Sequence, residues 1–193
     1  MTVSARGAQG ASRLAARGAL VGLSSPRGAH YAGAPVPVNI TKGDFLADPS
    51  FHAFAHTCDL TGAMTAGVSL AFKKRWPAMA EDFAKRAAER PLQMGDVLVW
   101  SDGTDTVFSL VVQSGPDKPG KTVALDRAIQ GMLDAAVAAN ITQIAVSRLG
   151  AGAAKLDWAR VKRVLVDRAE AAPVTLHAFE QFVRAKPAGS GAA

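Results

Sequence analysis

Two glycine-bearing stretches contain the residue types that bind anions. The first is Asp59-Leu-Thr-Gly62-Ala-Met-Thr-Ala-Gly67-Val68, and the second is Arg148-Leu149-Gly150-Ala151-Gly152-Ala153-Ala154. Each follows a short apolar run and precedes a helical pattern. In such an arrangement small residues let a ligand approach the backbone, N–H groups converge, and the helix N-terminus adds partial positive charge. The chemistry on offer is phosphate binding by main-chain donors at the heads of two helices, and two loops can hold two phosphates. Either loop alone also reads as an ordinary strand-to-helix turn, and neither is itself a dinucleotide fingerprint or a Walker motif.

The elements that must position these loops alternate. Val38 to Ile40 is a short strand, and Phe54 to Cys58 an apolar run that reads as a buried strand. A helix covers Ala66 to Lys74 with a basic end, and Pro77 suits the first turn of another that runs to about Arg90. Asp96 to Trp100 and Thr106 to Val112 are β-rich and are joined by Ser101-Asp102-Gly103-Thr104, an Asp-Gly hairpin signal. Then come a helix over Val123 to Ala139, a strand over Ile141 to Ser147, a helix over Asp157 to Ala169 capped by Asp157, and a strand over Val174 to Phe179. This order predicts an α/β sandwich: a mixed, largely parallel sheet covered on both faces, with ligands beyond the carboxyl ends of its strands.

Composition narrows the class. Of 193 residues 49% are hydrophobic and 20% charged, the profile of a globular chain, and no apolar run approaches the roughly 18 residues of a membrane span. The one cysteine, Cys58, excludes a disulfide framework within the chain and a thiolate zinc cluster, and points to a reducing, cytoplasmic setting. His30, His52, His56 and His177 lack metal-ligand spacing, so neither a metal nor a cofactor is expected. The net charge is +6, yet Met1 to Val38 holds Arg6, Arg13, Arg17 and Arg27 without an acid, which leaves the rest nearly neutral. Residues 1–37 read as a flexible basic arm, 38–184 as the folded domain and 185–193 as a flexible tail. The arm has three readings: a functional arm, a targeting segment with the composition of a mitochondrial transit peptide, or a start site placed too early.

The residues also resemble a family. Thr41-Lys-Gly-Asp44, His56-Thr-Cys, Met64-Thr-Ala-Gly-Val-Ser-Leu-Ala-Phe-Lys-Lys-Arg-Trp76 and Arg148-Leu-Gly-Ala-Gly-Ala-Ala-Lys-Leu-Asp-Trp158 stand in the order found in macrodomains. More narrowly they resemble the branch of the terminal ADP-ribose glycohydrolases and the DNA ADP-ribosyl glycohydrolase antitoxins, over about Val38 to Phe179. The resemblance implies a three-layer α/β/α macrodomain, expected to be a monomer, with a cleft for ADP-ribose. Asp44 would accept from the adenine 6-amino group, Thr65, Ala66, Gly67 and Val68 would line the distal ribose and one phosphate, and Gly150, Ala151, Gly152 and Ala153 would cradle the diphosphate. Asp44 read without the resemblance is a turn or helix-cap aspartate.

That branch uses a lysine near the end of a central strand to attack the opened distal ribose and an aspartate past the second glycine loop. The positions that match hold Gln113 and Ala154. Glutamine cannot form the imine that lysine catalysis requires. Two expectations follow: hydrolysis by a positioned water without a lysyl intermediate, with Asp59 and Gln113 as the catalytic candidates, or a reader that binds ADP-ribose and releases it unchanged. The expected partners are ADP-ribosylated proteins or DNA. Lys73, Lys74 and Arg75, with the arm, offer sequence-independent phosphate contacts, and a weaker reading makes nucleic-acid binding by the arm the main activity. His56 reads first as a satisfied core histidine and Cys58 as a small buried hydrophobe.

Overall fold

A computed structural model of the chain describes residues 38–182. The expected arm 1–37, the tail 185–193 and the end of the expected domain, 183–184, lie outside the described residues. Six strands and four helices alternate as β1 (Val38–Gly43), β2 (Ala53–Asp59), α1 (Gly67–Arg75), α2 (Pro77–Glu89), β3 (Val97–Ser101), β4 (Thr106–Gln113), α3 (Thr122–Ala138), β5 (Gln143–Val146), α4 (Trp158–Ala169) and β6 (Thr175–Phe182). They build one sheet in the order β1-β6-β5-β2-β4-β3. Only β3 runs antiparallel, as the hairpin partner of β4.

The two sides of the sheet are written into strand alternation. Along β2, Ala53 and Ala55 point into the core under α3 and α4, while Phe54 and Cys58 point into the core under α1 and α2. Along β4, Phe108, Leu110 and Val112 go one way and Val107 and Val111 the other. Leu125, Ile129, Met132, Val161 and Leu165 close the first side, and Phe72, Trp76, Met79 and Phe83 the second. Truncating one of these rings to alanine would cost about 3–5 kcal/mol. The expected three-layer arrangement is therefore present. Because β2, β4, β5 and β6 run parallel, their carboxyl ends open at one edge of the molecule, between the starts of α1 and α4.

The pairing of β2 with β4 fixes the chemistry of its centre. His56 lies opposite Ser109, and after a register shift between Cys58 and Asp59 the last residue of β2, Asp59, lies opposite Gln113.

Candidate functional site

Beyond the strand ends, the two glycine loops meet. One crevice of about 120 Å³ is lined by Ala66, Gly67, Val68 and Ser69 from the first loop and α1, by Gly150, Gly152, Ala153 and Ala154 from the second, and by Thr57, Gln113, Ser147 and Arg148. Pockets that enclose a drug-sized ligand run roughly 300–1,000 Å³, so this one encloses a fragment the size of a diphosphate and leaves the remainder of a larger ligand outside.

The two loops supply donors by different means. Gly67 opens α1 at φ +57°, and the Ala66 N-cap places no side chain over the first turn. The first intrahelical donor is Leu70, to Ala66. The amides of Gly67, Val68 and Ser69 are thus the uncompensated donors of a helix start, and they sit in the crevice wall. On the other side, Gly150 donates to Thr57 Oγ1 at 3.3 Å, Ala151 to the Arg148 carbonyl, and Lys155 and Leu156 to the carbonyls of Gly152 and Gly150. The amides of Gly152, Ala153 and Ala154 take no acceptor among the described residues. Here the structure corrects an expectation. The head of α4 does not face the crevice as a donor, because Lys155 to Asp157 intervene and the Asp157 carboxylate closes that end on the Arg160 amide at 2.8 Å. The free donors belong to the loop.

Gln113 is buried in the crevice wall. Its Nε2 donates to the Lys118 carbonyl at 2.7 Å, which fixes the amide and turns Oε1 outward. No buried side-chain nitrogen or oxygen among the described residues lacks a partner, and no donor reaches Oε1, so this oxygen opens onto the crevice. Ala154, on the opposite wall, presents only a methyl group, and its carbonyl accepts from Gly120 at 2.8 Å. Between β4 and α3 runs a stretch that the sequence reading passed over: Gly115-Pro-Asp-Lys-Pro-Gly-Lys-Thr122 has the spacing of a nucleoside-triphosphate loop. Three of its amides are spent internally, Gly120 on Ala154, Lys121 on Val112 and Lys118 on Gly115. It serves as the strap that holds Gln113 and Ala154 in place.

The other candidates fall outside this wall. Thr65 and Ala151 belong to the two loops but are not among the lining residues. Asp59 is buried and spends Oδ1 on the amide and hydroxyl of Thr61, shaping the start of the first loop. Asp44 follows β1, and its Oδ1 accepts from the amides of Leu46 and Ala47 at 3.1 and 3.3 Å, a turn-capping use that leaves Oδ2 unspent. In the basic cluster, Arg75 is committed within the fold: it donates to the Leu46 carbonyl, pairs with Asp105 at 3.5 Å and lies 4.7 Å over the Trp76 ring. Lys73 reaches the Ala63 carbonyl, and of these three cations only Lys74 has no partner among the described residues.

Beneath the crevice lies the central histidine. His56 is wholly buried against Phe72, with Nε2 2.9 Å from Ser109 Oγ and Nδ1 3.3 Å from Ser69 Oγ. Ser69 donates onward to the Thr57 carbonyl. Burial lowers the imidazole pKa to about 4, so the ring is neutral at physiological pH and acts as a brace between β4 and the first turn of α1. Burial, with Asp59 beside it, pushes the Cys58 thiol well above its ordinary value. Neither is poised as a base or a nucleophile.

A second cavity, of about 440 Å³, adjoins the first and is lined by Lys42, Arg148, Trp158, Glu180 and Gln181. Trp158 Nε1 donates to Glu180 Oε2 at 2.8 Å, and this hydrogen bond, with Lys162 3.6 Å away, holds the Glu180 carboxyl below the usual range. Sequence reasoning missed Thr57, Ser69, Ser147 and Arg148. The hydroxyls look like ordinary strand and helix residues until the fold aligns them, whereas Arg148 stood at the head of a loop already singled out.

Comparison with known proteins places these features in a family. The model of the Macro domain matches residues 55–165. A DNA ADP-ribosyl glycohydrolase of Mycobacterium tuberculosis is 27% identical over 136 residues, covering 68% of this chain but 38% of that protein. The chain thus spans well under half the length of that relative. An ADP-ribose glycohydrolase of Homo sapiens is 20% identical over 142 residues, covering 74% of this chain and 90% of the human protein. Among solved structures, the macrodomain of Mycobacterium tuberculosis DarG superimposes with a TM-score of 0.69 at 23% identity, over 75% of this chain and 97% of that one.

Proposed function

The chain belongs to the macrodomain family, and from that membership we propose that it binds ADP-ribose in the crevice between its two glycine loops and removes it hydrolytically from modified macromolecules. The observation that carries this reading is the convergence of two sets of unspent amides, at Gly67 to Ser69 and at Gly152 to Ala154, on one crevice whose wall also holds the open Oε1 of Gln113. Such fixed dipoles hold a diphosphate without reorganising when it binds.

Hydrolysis then needs no lysine. A water accepted between a ligand phosphate and the distal anomeric carbon attacks that carbon, its hydroxyl joining the ribose while its proton passes to the departing group. Gln113 Oε1 accepts one hydrogen bond from this water and aims it, with Nε2 anchored on Lys118. The oxocarbenium-like centre is stabilised by the ligand's own phosphate charge rather than by a side chain. Asp59 contributes by setting the first loop through Thr61.

Two attachments for the ADP-ribose are proposed, an ester on an acidic protein side chain and a glycosidic bond to a DNA base; the name of the mycobacterial relative, a DNA ADP-ribosyl glycohydrolase, supports DNA as a substrate. The buried, unpaired Cys58 supports work in the cytoplasm. Incubation with ADP-ribosylated protein and with an ADP-ribosylated oligonucleotide tests the proposal, with release of free ADP-ribose from at least one as the expected result. Binding of free ADP-ribose without release from either would favour the second reading, a reader, to which the Gln113 and Ala154 replacements lend support.

A further inference from the structure

The two cavities share one residue. Arg148 lines the inner crevice and the outer cavity alike, and it is exposed, with its guanidinium carbon 5.7 Å from the Trp158 ring centroid. It forms no ion pair among the described residues, so the five donors of its fork are uncommitted. The surface beneath it is rigid, because Trp158 is buried and pinned through Nε1 to Glu180. A guanidinium resting on a fixed indole has lost much of its freedom before any ligand arrives, which lowers the entropy needed to engage an anion.

The size and chemistry of the outer cavity say what passes this point. At about 440 Å³ it has room for a nucleoside, and it offers an aromatic edge, the Gln181 side chain, a carboxylate and the Lys42 ammonium. The inner crevice offers neutral amides. A ligand that fills both must therefore be a polar, planar group joined to an anionic linker, and the linker crosses the boundary beside Arg148.

We propose that Arg148 is the charged clamp of this site, gripping the anionic linker of a nucleoside-diphosphate ligand where the inner crevice opens into the outer cavity. This inference rests on the reading of the crevice as an ADP-ribose site and goes beyond it, since that reading assigns the anion to main-chain amides alone. A planar fork engages two phosphate oxygens at once, which a lysine does not reproduce.

Calorimetric titration of ADP-ribose into the wild-type chain, Arg148→Ala and Arg148→Lys, at about 0.05 M and about 0.5 M salt, tests it. At the lower salt Arg148→Ala is expected to bind about tenfold more weakly and Arg148→Lys to fall between, as befits a charge-assisted hydrogen bond. The gap between wild type and Arg148→Ala should narrow at the higher salt, and all three proteins should melt at the same temperature because the side chain is exposed. An Arg148→Ala variant with wild-type affinity at low salt would overturn the clamp and leave the ADP-ribose site standing. A wild-type chain that ignores ADP-ribose would overturn the site and the clamp with it.

Discussion

Thr57 Oγ1 accepts the amide hydrogen of Gly150 at 3.3 Å across 93 residues of sequence. This bond ties the second glycine loop to the central strand that also leads into the first, so both walls of the crevice hang from β2. Thr57→Val keeps the shape and removes the acceptor. The expected result is a stability loss of about 1 kcal/mol in thermal melts, with a severalfold weaker affinity for ADP-ribose as the loop loses its tether.

Glycines of the second loop have separable duties. A side chain at Gly152 would meet nothing within 4 Å, whereas one at Gly150 would lie 2.5 Å from Leu156 Cδ1 with the backbone at φ +69°. Gly152→Glu should therefore melt like wild type and fail to bind ADP-ribose, blocked by bulk and like charge. Gly150→Ala should lower the melting temperature. Calorimetry and melting on the same two proteins check both halves.

Gln113 should govern turnover more than binding. Gln113→Ala frees the Lys118 carbonyl and removes the oxygen that aims the water, and is expected to lower the hydrolysis rate by about a hundredfold while leaving ADP-ribose affinity within a few fold. Borohydride added during turnover should trap no covalent adduct. A trapped adduct detected by mass would contradict the lysine-free route.

His56 sets a pH window for stability. Its pKa in the folded chain is lowered to about 4, from an ordinary value of 6.5, chiefly by burial. The unfolded chain therefore binds the extra proton first as the pH falls. The contribution is complete above about 6.5 and is lost progressively as the pH drops toward about 4, amounting to roughly 3 kcal/mol for this group alone. Melts of wild type between those limits should fall with acid, and His56→Asn should be less stable at neutral pH but flatter across the range.

Asp44 separates a turn from a ligand contact. Asp44→Ala should weaken ADP-ribose by roughly 1–3 kcal/mol if Oδ2 meets the adenine amine. Because Oδ1 caps its own turn, Asp44→Asn, whose side-chain oxygen can keep the cap, is the sharper probe. Its amide can replace one function but not the charge, so an affinity loss without a melting change locates the contact on Oδ2.

What the sequence made legible was what depends on near neighbours. The apolar run Phe54 to Cys58, the β-rich run Thr106 to Val112, the basic end of α1, the Asp102-Gly103 turn and the Asp157 cap are local patterns, and the fold follows them. The glycine loops were legible as candidates because strand, loop and helix are consecutive. Their amides were not, since which donors are spent depends on acceptors such as Thr57 and on the Asp157 carboxylate closing α4. Distance in sequence also hid the approach of Arg148 to Trp158 and the bond from Trp158 to Glu180, and the strap from Gly115 to Thr122 shows the converse, a phosphate-loop spacing in which the fold has already used the amides of Lys118, Gly120 and Lys121.

The most direct measurement is an amide NMR titration with ADP-ribose on isotopically labelled protein. The expected result is large, saturable shifts at Gly67, Val68, Ser69, Gly152, Ala153 and Ala154, with the Arg160 amide, already held by Asp157, unmoved. Saturation with those six amides unshifted would contradict the grip by main-chain donors on which the proposed function stands.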